Sequence, residues 1–414
     1  KKEVTLPEGE GDLAEYQTRR DIIDCILEAT HNTNGPVHIN VGVRDIGLGA
    51  KVDRKYWALQ ENIHQRVMRT GFNYGEEHLR RWVDALKRSP RILVVYGQSY
   101  PASERELAAV NEFARKYNCV ILTDFLSNIH SDYCIANSYN MLNAITQKEF
   151  NERLSPDILI SIPGKRLMND PITFKIRHGR RDIRNWDVEP DGRFKDYYFR
   201  LSSIIEMSKE RFFEWFGKEA GASKNNGAYY NAWKEYCDKY SSPEGTAFNS
   251  QYVQSRFLPR VPGNSILHLG VGLSFYTTRM YPLNPDVHVF CNMGTNGIDG
   301  CTSTFMGQCA VEKDRLCFLI VGDLSFFYDM NSLWNKPLHK NMRILLVNNS
   351  GTGLLRGHNL RGISSEHHAS AKGWVENCGF TYMTASNPDE FDARLEEFVS
   401  DRSESPLFFE VFCR

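Results

Sequence analysis

The chain has 414 residues, 41% apolar and 24% charged, with a formal net charge of −1. That length exceeds one ordinary core, so two domains with a remnant of a third are expected. The near-zero charge balance leaves no polyanion-binding footprint, which argues against a nucleic-acid partner, and no apolar run approaches the ~18 residues that a membrane span needs.

The opening "KKEVTLPEGEGDLAEY" has a basic pair but neither the apolar stretch of a secretory signal nor an initiator Met. "YQTRRDIIDCILEATH" has helical spacing, and "GPVHINVGV" (Gly35–Val43) reads as a short buried strand. One helix and one strand cannot cover both faces of a sheet. Residues 1–46 are therefore expected to be the last piece of a domain whose body is absent.

Next come "RILVVYG", the helical "SERELAAVNEFARKY", "CVILTDF" and "DILISIPG". Short β-branched runs alternating with helices predict a doubly wound parallel sheet over residues 47–205. The basic run "KIRHGRRDIR" (Lys175–Arg184) reads as a solvated face or subunit contact. Residues 206–250 are polar, helical and broken by Gly and Pro, so a connector is expected there. Beyond them "SILHLGVG", "VHVFCNMG", "LCFLIVGD", "MRILLVNN" and "PLFFEVFC" predict a second α/β domain, bringing the whole unit to 206–414.

The ten cysteines are scattered without a C-x-x-C and read as buried thiols of a reducing, cytoplasmic setting. His367 and His368, in "SEHHAS", would point to different faces, so this stretch reads as a helix start rather than a ligand pair. "GVGLSF" is half of a dinucleotide fingerprint, with Phe275 in place of its third glycine and no acidic residue at the end of the next strand.

The chemistry-bearing residues lie at strand ends, where open α/β sheets bind their ligands. Asp323 follows one strand and Asn349 the next. A carboxylate, an amide oxygen and the Gly351 carbonyl form an oxygen-only set suited to Mg²⁺, which completes its octahedron with water and ligand phosphates. Gly322 and Gly351 let backbone approach, and a helix opening near Ser325 aims N–H groups at an anion. The same residues also fit a plainer reading, with Asp323 as a helix cap and Asn348-Asn349 as a turn.

Gly-Asp, about 25 residues, then Asn-Asn is similar to the metal–diphosphate motif of thiamin-diphosphate enzymes. Within that superfamily, "GDLSFFYDMNSL", "NMGTNGIDGCTSTFMG" (Asn292–Gly307) and "GPVHINV" together resemble the 2-succinyl-5-enolpyruvyl-6-hydroxy-3-cyclohexene-1-carboxylate synthases of menaquinone biosynthesis. The resemblance covers essentially the whole chain and is strongest over its last part. It implies a carboligase that decarboxylates 2-oxoglutarate, a small 2-oxo acid, and adds the remaining unit to isochorismate, with thiamin diphosphate and Mg (or Mn) as cofactors. It also implies a homodimer or homotetramer.

Carried over by position, Asp323, Asn349 and the Gly351 carbonyl would hold the metal, with Leu324 and Ser325 at the diphosphate. Gly297 and Ile298 would support the bent cofactor, the apolar Ile298 filling the angle between its rings. Lys165 and Arg166, in "GKRL", would face substrate carboxylates. The resemblance leaves two departures. The glutamate that activates the cofactor belongs to the family's first domain, so no catalytic residue is nominated here, and a separate chain could supply that domain. Where the family has Asn-Ser, three residues, then Arg, this chain has Val271, Gly272 and Tyr276; where it has Asn-Arg-Gly, Met293 replaces the arginine. A shifted register through Ser274 and Arg279 would recover one guanidinium. These departures motivate two alternatives, a thiamin-diphosphate enzyme with another donor or acceptor and a non-catalytic or partner-dependent subunit.

Overall fold

The computed structural model describes residues 1–8, 11–31, 35–42, 67–162, 164, 170–221, 225–240, 242–293, 296–353 and 365–413. They form three sheets, each parallel throughout, as the alternating strand and helix pattern predicts.

The smallest pairs β1 (Lys2–Thr5) with β2 (Val37–Asn40), joined through the helix Asp12–Thr30. This N-terminal unit docks on the next sheet through Ile23 and Leu27, packed against Leu201 and Ile204, and through polar contacts. Arg69 donates to the Leu27 carbonyl at 2.5 Å and to Glu28 at 2.6 Å. His31 Nε2 lies 3.0 Å from Glu206, and the Tyr16 hydroxyl donates to Asp196 at 2.7 Å.

The central sheet contains β3 (Met68–Gly71), β4 (Ile92–Tyr96), β5 (Cys119–Leu122), β6 (Cys134–Ile135), β7 (Ile158–Ile162), β8 (Arg184–Val188) and β9 (Leu201–Glu206). Their order is β3-β9-β8-β7-β4-β5-β6. The chain reverses direction across the sheet between β4 and β7. Backbone meets backbone there: a Cβ added to Gly97 would stand 2.6 Å from the Gly164 carbonyl oxygen.

The stretch expected to be a connector after residue 206 packs onto this sheet instead. Phe212, Phe213 and Phe216 of the helix Lys209–Glu219 join the core on one face, and Tyr229 and Trp233 of the helix Ala228–Lys239 join the core on the other. Their aromatic spacing supplies the cover that a parallel sheet needs on both sides. The basic run is also less solvated than its composition suggests. Lys175 is buried, its ammonium donating to the Ile145 carbonyl at 2.6 Å, and Arg180 pairs with Asp182 and Asp157.

The third sheet contains β10 (Ile266–Leu269), β11 (His288–Cys291), β12 (Cys317–Gly322), β13 (Met342–Asn348), β14 (Thr381–Ala385) and β15 (Leu407–Phe412), ordered β11-β10-β12-β13-β15-β14. Neighbouring residues in a strand face opposite sides. Phe408 thus packs with Phe305, Phe326 and Phe380, whereas Phe409 packs with Phe257, Phe318 and Phe398. The edge strand β11 meets the central domain through two amide side chains, one of them Gln98, which donates to the Cys291 carbonyl at 3.3 Å. Asn128 accepts the Val289 N–H at 2.8 Å and donates to the Val289 carbonyl at 2.9 Å. Eight of the ten cysteines are buried. Among the described residues no helix is long and apolar enough to cross a membrane.

Candidate functional site

In the third sheet the chain reverses direction between β10 and β12, which are neighbours. A crevice at the carboxyl ends of the strands is expected at such a reversal. A groove lies there, lined by Val271 and Gly272 after β10, by Asp323, Leu324 and Ser325 after β12, and by Asn349 and Gly351 after β13, with Ile298 at its side. Strands β12 and β13 pair with Gly322 opposite Val347, so the residues that follow them share one rim.

Asp323 is 2% exposed and opens the short helix Asp323–Asp329 with Gly322 as its N-cap. Its Oδ1 accepts the N–H of Leu324 at 2.7 Å. Its Oδ2 accepts the Gly351 N–H at 2.9 Å and lies 3.1 Å from His367 Nε2. One oxygen of the carboxylate therefore serves the first turn of its own helix, and the other reaches across to the next strand's turn.

The turn after β13 divides its work between two asparagines. Asn348, buried, accepts the Ser350 N–H at 3.1 Å. That Asx turn holds Ser350 at φ 62° and Gly351 at φ 146°. Asn349 then faces Asp323. One end of its amide stands 2.5 Å from the Gly351 carbonyl oxygen and 3.3 Å from Asp323 Oδ2. The two ends of an amide are told apart only by their partners. With nitrogen at that point, the amide donates to both oxygens. With oxygen there, three oxygens converge, and a cation removes their repulsion. Adjacent ligand oxygens on a magnesium octahedron of ~2.1 Å radius stand ~3.0 Å apart, which the two separations bracket. The donor set therefore fits a divalent hard cation. Asn348 makes the turn, and Asn349 faces Asp323 and the Gly351 carbonyl.

Ser325 is buried, and its hydroxyl donates to the Ile298 carbonyl, tying the Gly297-Ile298 segment to the start of the helix. Ile298 is half-buried at the groove. Lys165 and Arg166 lie outside the described residues. Of the positions where the family pattern calls for polar or cationic groups, Val271 and Gly272 line the groove, Tyr276 packs against the core and Met293 is buried. The shifted register does not bring a guanidinium to the site. Ser274 lines the groove, but Arg279 turns toward the central domain, 3.3 Å from Asp170 and 4.3 Å above the Tyr139 ring.

Two neighbours escape the sequence reading. His367 sits in irregular chain before the helix Lys372–Cys378, and its ring faces Asp323 from 44 positions away, with no local pattern to announce it. Glu410, fully buried in β15, accepts from Asn348 at 2.8 Å. A charge inside "LFFEVF" was the signal that could have found it.

A family model described as "Thiamine pyrophosphate enzyme, C-terminal TPP binding domain" matches residues 270–411, the span that holds every groove residue named above. The chain is also similar to three curated proteins named 2-succinyl-5-enolpyruvyl-6-hydroxy-3-cyclohexene-1-carboxylate synthase. That of Phocaeicola vulgatus is 30% identical over 430 residues, covering 100% of this chain and 73% of the relative. That of Bacteroides thetaiotaomicron is 28% identical, covering 100% and 74%. That of Flavobacterium johnsoniae is 27% identical, covering 94% and 71%. The likeness runs through all three sheets and is not confined to the cofactor fold that many thiamine enzymes share. On that footing the chain belongs to the 2-succinyl-5-enolpyruvyl-6-hydroxy-3-cyclohexene-1-carboxylate synthase family.

Proposed function

We propose that these residues form the metal- and diphosphate-anchoring part of a thiamin-diphosphate-dependent synthase that acts on 2-oxoglutarate and isochorismate. The observation that carries this reading is the convergence of Asp323, Asn349 and the Gly351 carbonyl at the reversal point of the third sheet. In the proposal these three hold Mg²⁺ or Mn²⁺, and the backbone at Leu324 and Ser325 receives the diphosphate. The Ser325 hydroxyl keeps Ile298 against the groove, where Gly297 and Ile298 support the bent cofactor. The bound cofactor supplies a nucleophilic carbon for attack on the 2-oxo acid. Lys165 and Arg166 carry carboxylate recognition.

Asp323 is the one carboxylate among the described residues that line the groove, and it is committed to the metal. The proposal therefore takes the cofactor-activating glutamate from the family's first domain, outside the described residues, and takes the assembly to be a homodimer or homotetramer, or to include a separate chain that supplies that domain. The proposed division of the chain is an N-terminal unit to residue 46, a central domain, and a diphosphate-binding domain that ends at residue 414. The central domain includes the helices up to Lys239, because they complete its core. A cytoplasmic location is proposed from the cysteines, most of them buried.

Calorimetric titration of the chain with thiamin diphosphate, in Mg²⁺ and in chelator, tests the reading. Binding that requires the metal is expected. No Mg²⁺-dependent heat at millimolar cofactor would overturn it. In a preparation that binds and is supplied with the glutamate-bearing domain, disappearance of 2-oxoglutarate is the expected result.

A further inference from the structure

Glu410 stands mid-strand in β15 with no access to solvent. A carboxylate in that position needs donors on both oxygens, and it has them. Oε1 accepts from Asn348 Nδ2 at 2.8 Å and from the Ala371 N–H at 3.2 Å. Oε2 accepts from the Ser370 hydroxyl at 2.8 Å, the Tyr382 hydroxyl at 2.8 Å and the Ala371 N–H at 3.1 Å.

Asn348 is the joint between this carboxylate and the cation turn. Its amide nitrogen is divided between Glu410 and the Ala369 carbonyl, 3.0 Å away, while its oxygen closes the turn on the Ser350 N–H. Two acceptors at the nitrogen end dictate which way the amide faces, and so which way the turn is drawn. The segment held by Ser370 and Ala371 also carries His367. The Ala369 N–H donates to His367 Nδ1 at 3.1 Å, which places the ring proton on Nε2, the nitrogen that donates to Asp323. One buried carboxylate therefore fixes both the turn that presents Asn349 and Gly351 and the segment that presents His367.

We infer that Glu410 and Asn348 are positioning residues of the cation site. Their hydrogen bond sets the 348–351 turn so that Asn349 and the Gly351 carbonyl meet Asp323, and Glu410 also aligns His367 on the Asp323 carboxylate. The inference rests on Asp323, Asn349 and Gly351 being the metal ligands. Asn348→Asp keeps the acceptor for Ser350 but sets oxygen against Glu410 and the Ala369 carbonyl. Adding Glu410→Gln reverses the polarity of the pair, so that the glutamine nitrogen donates to the new carboxylate.

The test is Mn²⁺ binding to the whole chain at fixed thiamin diphosphate, followed by electron paramagnetic resonance, with thermal melting recorded on every variant. Supporting residues around metal ligands typically affect affinity by about 10–100-fold. Asn348→Asp is expected to weaken Mn²⁺ binding about tenfold or more, and the double variant to recover most of the loss. Tyr382→Phe removes a Glu410 donor that does not reach the turn, and is expected to lower the melting temperature while leaving Mn²⁺ affinity within about twofold. If Asn348→Asp fails to fold, a folded double variant with near-wild-type Mn²⁺ affinity carries the proposal. Folded Asn348→Asp with wild-type affinity, or a double variant that recovers nothing, overturns it. Asp323→Asn separates the two levels. If Asp323→Asn binds Mn²⁺ as tightly as the wild type, or the wild type takes up none, the ligand reading itself falls and takes this inference with it.

Discussion

Replacing Asp323 with asparagine separates what the carboxylate does for the turn from what it does for a cation. Its two oxygens receive Leu324 N–H, Gly351 N–H and His367 Nε2–H. An amide keeps one oxygen. The least disruptive orientation gives that oxygen to Gly351 and His367 and leaves the Leu324 N–H facing an NH₂ group. One buried donor without a partner costs about 1–3 kcal/mol, or roughly 2–12 °C in the melting temperature of a domain this size. The cation loses more, because asparagine removes the one formal negative charge from the oxygen set. Taking a charge-assisted contact of about 1.5–3 kcal/mol as the floor, Mg²⁺ affinity falls by roughly 10–150-fold. Melting curves without metal and calorimetric Mg²⁺ titrations at fixed thiamin diphosphate measure the two effects independently. An asparagine variant that melts lower by the stated amount yet binds cofactor with unchanged Mg²⁺ dependence would refute the assignment of Asp323 as ligand.

Ile298→Ala should act on cofactor and hardly on folding. The side chain is half-buried and contributes to none of the buried core clusters, so thiamin diphosphate affinity is expected to drop up to about 60-fold, from ~0.8 kcal/mol for each of the three carbons removed. A large loss of melting temperature with intact cofactor affinity would contradict this. Asp187→Asn should stabilise the protein at neutral pH. Burial pushes the Asp187 carboxyl up to about 8, so between its unfolded value near 4 and that point the folded state keeps a proton which the unfolded chain releases. Stability therefore falls by up to ~1.4 kcal/mol per pH unit as pH rises through that window. Urea midpoints should show Asp187→Asn gaining a few kcal/mol at pH 7, shrinking toward pH 4; a pH-independent difference would count against it. Gly97→Ala places a Cβ 2.6 Å from the Gly164 oxygen and 2.8 Å from its carbonyl carbon and Cα. Backbone cannot yield as a side chain does, so a loss of about 1–3 kcal/mol in urea unfolding is expected with cofactor binding unchanged. An unaltered midpoint would show that the reversal point of the central sheet is looser than its contacts imply.

The main strands were legible because Ile92–Tyr96, Ile158–Ile162, Cys317–Gly322 and Met342–Asn348 are apolar runs between breaks, the pattern of strands buried on both faces. Arg184–Val188 was not, since Arg-Asn-Trp-Asp-Val looks polar until Trp186 and Asp187 are seen to be buried. The helices 209–219 and 228–239 were recognised as helical but assigned to a connector. Only the tertiary contacts of Phe213 and Trp233 show which sheet they cover. At the site, Asp323 and Asn349 declared themselves by standing at the ends of apolar strands. The plainer reading makes Asn348-Asn349 a turn, and Asn348 does close one on Ser350, but its bond to Glu410 spans 62 positions, beyond any spacing rule. Arg279 shows the converse: a shifted register, which needs a gap and a different spacing, offered a substrate contact, and the fold turns that guanidinium to Asp170.

The Asn128 contact with β11 has a consequence for the molecule's behaviour in a crowded solution. An outermost parallel strand presents a row of unpaired amides that can template association with a second chain. Asn128, itself left-handed at φ 47°, offers Val289 both an acceptor and a donor and so imitates one residue of an additional strand. With Gln98, which donates to the Cys291 carbonyl, two amide side chains of a different domain thereby cover part of an edge that would otherwise invite a neighbour. Loosening the central domain would then uncover part of that edge to a second chain.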